Sequence, residues 1–316
     1  MQTIQTAKQE NSPFIQLLLL GIYALVGLIV FALIAFALIF LVYGFDAVQS
    51  LVGVNPNLKM HVEAMKILLT AQQIGLFLTP TLLLAITEGK KPQRFYGMAM
   101  PKTQVLVLIL LIMTCSMPIM GWVNELNQKM VLPDFLKSLQ EWMRKLEDEG
   151  EKTTLAILKM NSIGGYLINL LVIAIVPAIC EELIFRGALQ RVFLRWIKNP
   201  HVAIWTSAFI FSTIHFQFFG FFPRLLLGAG FGYFYFWTGS IWYTIFAHFL
   251  NNGFAVTMAW YFQKNNLPIN QDEGMTVAWY GYVISAILTI ALLKFLKDSA
   301  KIPNGFAPNT KSQIKE

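Results

Sequence analysis

Residues 162–187 read SIGGYLINLLVIAIVPAICEELIFRG. From Ser162 to Cys180 no side chain carries a charge, and a stretch of this length comes close to crossing the roughly 30 Å hydrocarbon core of a bilayer at about 1.5 Å of helix rise per residue. Two glutamates and, four residues beyond the second, an arginine follow directly. The stretch predicts a membrane helix with ionisable groups at its end, where an unpaired charge facing lipid would be costly.

Working outward, comparable uncharged runs occur at Ile15–Tyr43, Ile67–Ile86, Thr103–Val123 and Met275–Leu293. The first is too long for the roughly 7–15-residue core of a signal peptide and reads as a retained helix. Between Val202 and Gln263 the chain is almost wholly apolar. It is broken at Gly220, Pro223 and Arg224 and again at Thr238, Gly239 and Ser240, residue types that punctuate helices. Divided there, it gives three helices, the middle one about Leu225 to Trp237. The expected architecture is therefore all-α, a polytopic membrane bundle of about eight helices. Composition agrees: of 316 residues, 56% are hydrophobic and 13% charged, against roughly a quarter charged in soluble domains.

The net charge of +7 does not imply nucleic acid, because the bases sit in short tracts between apolar runs rather than on one continuous face. Lys90, Lys91, Arg94 and Lys102 form one tract, Arg191, Arg195 and Lys198 a second, and Lys294, Lys297, Lys301, Lys311 and Lys315 a third. With eight spans all three fall on one side of the bilayer, so the positive-inside rule predicts cytoplasmic termini and the cell membrane as location. Four regions follow: residues 1–123 with three membrane helices, an extracytoplasmic segment 124–161, the polar-bearing helices of 162–263, and a last helix with basic tail in 264–316. Within 124–161, Phe135, Leu136, Leu139, Trp142, Met143 and Leu146 recur at helical spacing and predict an amphipathic helix lying on the bundle or at the lipid surface. Gly228, Gly230 and Gly232 lie in an apolar helix with no preceding strand, so they read as sites of close helix approach rather than a nucleotide loop.

Charged and imidazole side chains within membrane helices usually face the interior and pair. Here they are Glu181, Glu182 and Arg186 at the end of the fourth helix, His215 in the fifth, and His248 with Asn251 and Asn252 in the seventh, which together predict one buried site toward the basic side. Glu182 and Arg186 are spaced to pair along a helix. Glu181, about 100° around the axis, has no local partner. A carboxylate with a histidine can activate water, and a second histidine with an asparagine amide can stabilise an oxyanion. Glu181, His215 and His248 could equally ligate Zn2+. His61 and His201 read as surface groups. Cys115 and Cys180 sit in apolar segments and read as packing residues, excluding a disulfide framework or cysteine-based zinc site. No H-E-x-x-H or G-x-S-x-G occurs, which excludes the soluble zinc-protease and nucleophile-elbow arrangements.

Three motifs appear in order: E-E-x-x-x-R at Glu181, Glu182 and Arg186, F-x-x-x-H at Phe211 and His215, and H-x-x-x-N at His248 and Asn252. With the flanking EELIFRG, this set resembles the CAAX prenyl protease and bacteriocin-processing (Abi) family of intramembrane proteases over about Ser162–Ala259. The resemblance implies an endopeptidase, described in that family as a metalloprotease, in which Glu181 with His215 acts as general base. His248 and Asn252 then stabilise the oxyanion while Glu182 and Arg186 orient the site. It further implies a membrane-associated peptide or protein substrate, prenylated or bacteriocin-like, with the lipid bilayer as the other partner; no feature sets an oligomeric state. Two other classes compete: a proton-coupled transporter, disfavoured because the polar motifs fall in one half of the chain rather than in repeats, and a catalytically silent immunity or binding protein on the same fold.

Overall fold

The computed structural model describes residues 9–51, 59–267 and 277–300. Among them there is no strand, and the elements are helices joined by short turns. We number them α1 (Pro13–Tyr43), α2 (Phe45–Ser50), α3 (59–87), α4 (Pro92–Phe95), α5 (Thr103–Gln128), α6 (Lys137–Ile157), α7 (163–197), α8 (Pro200–Thr213), α9 (Phe221–Thr238), α10 (Ile241–Lys264) and α11 (Trp279–Ser299). The all-α membrane bundle expected from sequence is what the chain forms.

Among the described residues five helices are long and apolar enough to cross a membrane: Pro13–Tyr43, Val62–Thr87, Thr103–Gln128, Ile163–Ile197 and Trp279–Ser299. The three helices expected between Val202 and Gln263 are present as α8, α9 and α10 but are not among these five. α8 has 14 residues, about 21 Å of rise, short of the hydrocarbon thickness. α9 begins at Phe221 rather than Leu225, so Pro223 and Arg224 lie in its first turn, where proline is tolerated. The expected start of the last span at Met275, the tail beyond Ala300 and the side chain of His61 lie outside the described residues.

Helix boundaries follow local chemistry. Ser12 accepts from the Ile15 amide ahead of Pro13, Ser162 accepts from the Gly165 amide, and Asn199 accepts from the His201 and Val202 amides with Pro200 at the first position, each satisfying amides that a helix start leaves open. Lys198 and Gly239 take left-handed conformations that end α7 and α9.

Two helices carry π-helical turns, Gln73–Leu78 in α3 and both Leu170–Ile175 and Leu183–Gln190 in α7. Each has a carbonyl taken by a side chain: Thr79 Oγ1 donates to Ile74 O at 2.9 Å, Asn252 Nδ2 to Ile173 O at 3.1 Å, and Ser207 Oγ to Phe185 O at 2.8 Å. In a membrane interior, backbone acceptors loosened from the α ladder need such partners. Pairing of this kind stabilises an uncommon geometry that is often found at functional sites.

The first two basic tracts meet at one end of the bundle. Glu10 accepts from Arg191 at 2.8 Å and lies 3.1 Å from Arg195 and 3.4 Å from Lys90. Nearby, the Ile241 amide donates to Gly97 O and Ser240 Oγ to Ala99 O. At the opposite end, α6 covers the turn after α8: Glu147 accepts from the Phe219 amide and Arg144 stacks on the Phe219 ring. The expected amphipathic segment thus forms a helix that packs on the bundle, but it begins at Lys137, with Phe135 and Leu136 in a separate short turn before it. Phe135 and Trp142 remain 83% and 48% exposed.

Candidate active site

Glu181 and Glu182 were expected where the fourth helix ends. Instead α7 continues to Ile197, which places both near its middle, about 24 Å along the axis from the basic end. The helix survives there because its ionisable groups are compensated internally. Glu181, Glu182, Arg186 and His248 are 6%, 0%, 1% and 4% exposed.

Glu182 Oε1 accepts from Arg186 Nη1 at 2.6 Å and from His248 Nδ1 at 2.8 Å. Arg186 also donates to Gly228 O at 3.0 Å, its guanidinium 4.6 Å above the Phe211 ring and 5.4 Å from that of Phe231. One turn along α7, Gln190 repeats the pattern by donating to Gly232 O at 3.0 Å. The glycines of α9 make this reach feasible: a Cβ at Gly228 would meet Ala208 at 3.3 Å and Phe211 at 3.2 Å, and one at Gly232 would meet Gln190 and Ile204 at 2.7 and 2.8 Å. Close approach therefore holds at Gly228 and Gly232, whereas Gly230 faces open space.

His248 carries its Nδ1 proton toward Glu182, so its Nε2 edge faces Glu181 Oε2 at 3.8 Å. Its ring stacks on Phe231, with centroids 5.6 Å apart. Two carboxylates and one guanidinium leave one formal negative charge in this buried group.

His215 was expected within the fifth helix. The structure places it just beyond the C-terminal end of α8, in a turn on the side covered by α6 rather than at the basic end. Its Nδ1 donates to Phe211 O at 2.7 Å, which leaves Nε2 as an acceptor. The next residue, Phe216, is held at φ 52°, a strained conformation for a bulky side chain, and such strain collects at functional sites. Among the described residues His215 does not reach ion-pairing distance of Glu181; the imidazole that does approach it belongs to His248. Asn252 donates to Ile173 O and accepts from Asn251 Nδ2 at 3.1 Å. His201, expected at the surface, is exposed and hydrogen-bonded to the Tyr233 hydroxyl.

Gln73 was not singled out from sequence. Its Nε2 donates to Glu181 Oε1 at 2.9 Å from α3, giving the glutamate without a local partner a distant one. The available signal was an amide pair, Gln72 and Gln73, inside an otherwise apolar run. Asn251 also borders a cavity of about 1400 Å³ whose walls include Met113, Met117, Leu170, Leu227 and Phe254. As metal ligands, Glu181, His215 and His248 do not fit as placed: among the described residues no three His, Cys, Asp or Glu side chains gather into a binding set.

This geometry coincides with a region of known similarity. The B. subtilis protein named "Uncharacterized protein YpbD" (Bacillus subtilis strain 168) is 28% identical over 86 residues, a match covering 26% of this chain and 41% of that protein. The chain thus spans about two fifths of the curated relative it matches. No solved structure matches. Every motif position described above falls within residues 163–254, and it is this stretch that matches the Rce1-like family, described as type II CAAX prenyl endopeptidase.

Proposed function

We propose that the protein is an intramembrane endopeptidase that hydrolyses a peptide bond of a membrane-associated peptide or protein. The observation that carries this reading is the pairing of Glu181 with His248: a buried carboxylate with one oxygen facing the imidazole Nε2 at 3.8 Å, while its other oxygen is held by Gln73.

Glu181 takes a proton from a water molecule as its oxygen attacks the substrate carbonyl, with the His215 Nε2 acceptor orienting that water. His248, protonated at Nε2 and held by Glu182, donates to the developing oxyanion together with the remaining amide proton of Asn252. The proton on Glu181 passes to the leaving nitrogen as the C–N bond breaks, releasing a carboxylate and an amine. Arg186 holds Glu182 in place through their hydrogen bond. Zinc ligation by Glu181, His215 and His248 would require these side chains to leave the positions they hold here, and no step above depends on it. The apolar cavity beside Asn251 supports a substrate with a lipid-soluble portion, in line with the prenylated or bacteriocin-like class that the resemblance implies, and the basic end of the bundle is proposed to face the cytoplasm.

The test is cleavage of a lipidated peptide library in liposomes by wild type and Glu181→Gln, each with added zinc or chelator. Wild-type cleavage lost in Glu181→Gln, with unchanged melting, supports the mechanism; retained turnover removes Glu181 from it. Loss with chelator and restoration with zinc would put a metal into the reaction. Absence of cleavage across the library favours the silent-binding reading.

A further inference from the structure

We infer that Gln73 is a positioning residue for Glu181. This rests on the peptidase reading above and adds to it a residue outside the matched segment 163–254. The carboxylate accepts from Gln73 Nε2 through Oε1, so the carboxyl plane is fixed and Oε2 is turned to the His248 edge. A carboxylate that must take a proton from water gains from such fixation, because only one of its oxygens then competes for the water.

The amide itself is built in. Gln73 begins the π turn of α3, and the carbonyl of the next residue, Ile74, is occupied by Thr79 Oγ1. Two residues on, Gly75 lies against the backbone of α1: a Cβ there would fall 2.5 Å from Gly27 O, and one at Gly27 would fall 2.2 Å from Gly75 O. Backbone against backbone leaves the turn no room to shift, and the π geometry brings the side chain to a carboxylate 108 residues away in sequence. The remaining atom, Gln73 Oε1, is buried with no hydrogen-bond partner among the described residues. An unpaired buried acceptor is costly and calls for a functional account. Beside the general base, it can accept a hydrogen bond from the O–H of the attacking water that Glu181 does not take, sharing that hydrogen with His215 Nε2, so one amide would orient both the base and the nucleophile.

The experiment compares wild type, Gln73→Met and Gln73→Glu in the liposome assay, recording kcat, KM, pH profile and Tm. Gln73→Met keeps the chain length and removes both polar atoms; kcat should fall about ten- to hundredfold with KM within about twofold and Tm close to wild type. Gln73→Glu can donate to Glu181 only when the two carboxyls share a proton, so its activity should return with an optimum displaced to lower pH, which a purely structural role would not produce. Wild-type kcat in Gln73→Met, a change confined to KM, or an undisplaced optimum in Gln73→Glu overturns the inference while the peptidase reading stands. A wild-type protein that cleaves no member of the library overturns both.

Discussion

Arg186 shows how a guanidinium can be kept in an apolar interior. It has a carboxylate at 2.6 Å, a backbone carbonyl at 3.0 Å and two aromatic faces, so desolvation is offset from several directions. Removing it strands Glu182 as a buried charge. Arg186→Ala is expected to cost about 3–5 kcal/mol, read as a large drop in Tm in detergent, together with loss of activity; an unchanged Tm would make the role of Arg186 chemical rather than structural. Glu181→Gln should behave oppositely, because an amide can still occupy the site: Tm is retained and turnover is lost. At this scale the sequence revealed the Glu182–Arg186 pair, since both partners lie on one helix at a spacing that brings side chains together. It could not reveal that His248 would approach Glu181 more closely than His215 does, because that depends on where α8 stops. Nor could it reveal Gln73, whose partner is on another helix.

Among the elements, α3 and α9 are the ones whose small residues decide position. Gly75→Ala must push α3 from α1, and Gly232→Ala must push α9 from α7 and α8, each costing about 1–3 kcal/mol by overpacking. Gly230→Ala meets open space and serves as the neutral control in the same melting series. If Gly75→Ala also lowers kcat beyond what its Tm explains, the α1–α3 contact sets the site as well as the fold. The existence of α1, α3, α5, α7 and α11 was legible from uncharged length alone. The end of α7 was not, because a charged triplet in an apolar run reads as a boundary unless its partners are known. The π turns were equally hidden, since they depend on Thr79, Asn252 and Ser207 reaching particular carbonyls.

For the whole molecule, charge placement makes two predictions. Burial alone pushes the Glu10 carboxyl up, but the hydrogen bond from Arg191 and the charges of Arg191, Arg195 and Lys90 outweigh it and hold the group below its ordinary value of 4.5. A carboxylate with a depressed folded-state pKa contributes stability that is full above its unfolded value and is lost as pH falls through the folded one. Wild type should therefore lose Tm more steeply than Glu10→Gln as pH is lowered below about 4.5, and parallel curves would show that the cluster contributes nothing. Topology can be read with cysteines at two exposed sites, Met100 and Val131, which are 89% and 76% exposed. In a background lacking Cys115 and Cys180, Met100→Cys should react with an impermeant thiol reagent only from the cytoplasmic side and Val131→Cys only from the other. The reverse pattern would invert the orientation. The cluster at Glu10 also bears on how the chain is made. Arg191 follows Glu10 by 181 residues, which at about 5–20 residues per second of synthesis is roughly 10–40 s. Lys90 can hold the acidic anchor of the first helix earlier in that interval, but the two arginines arrive only once the helix carrying the two glutamates has emerged, so this clasp is completed late in biogenesis.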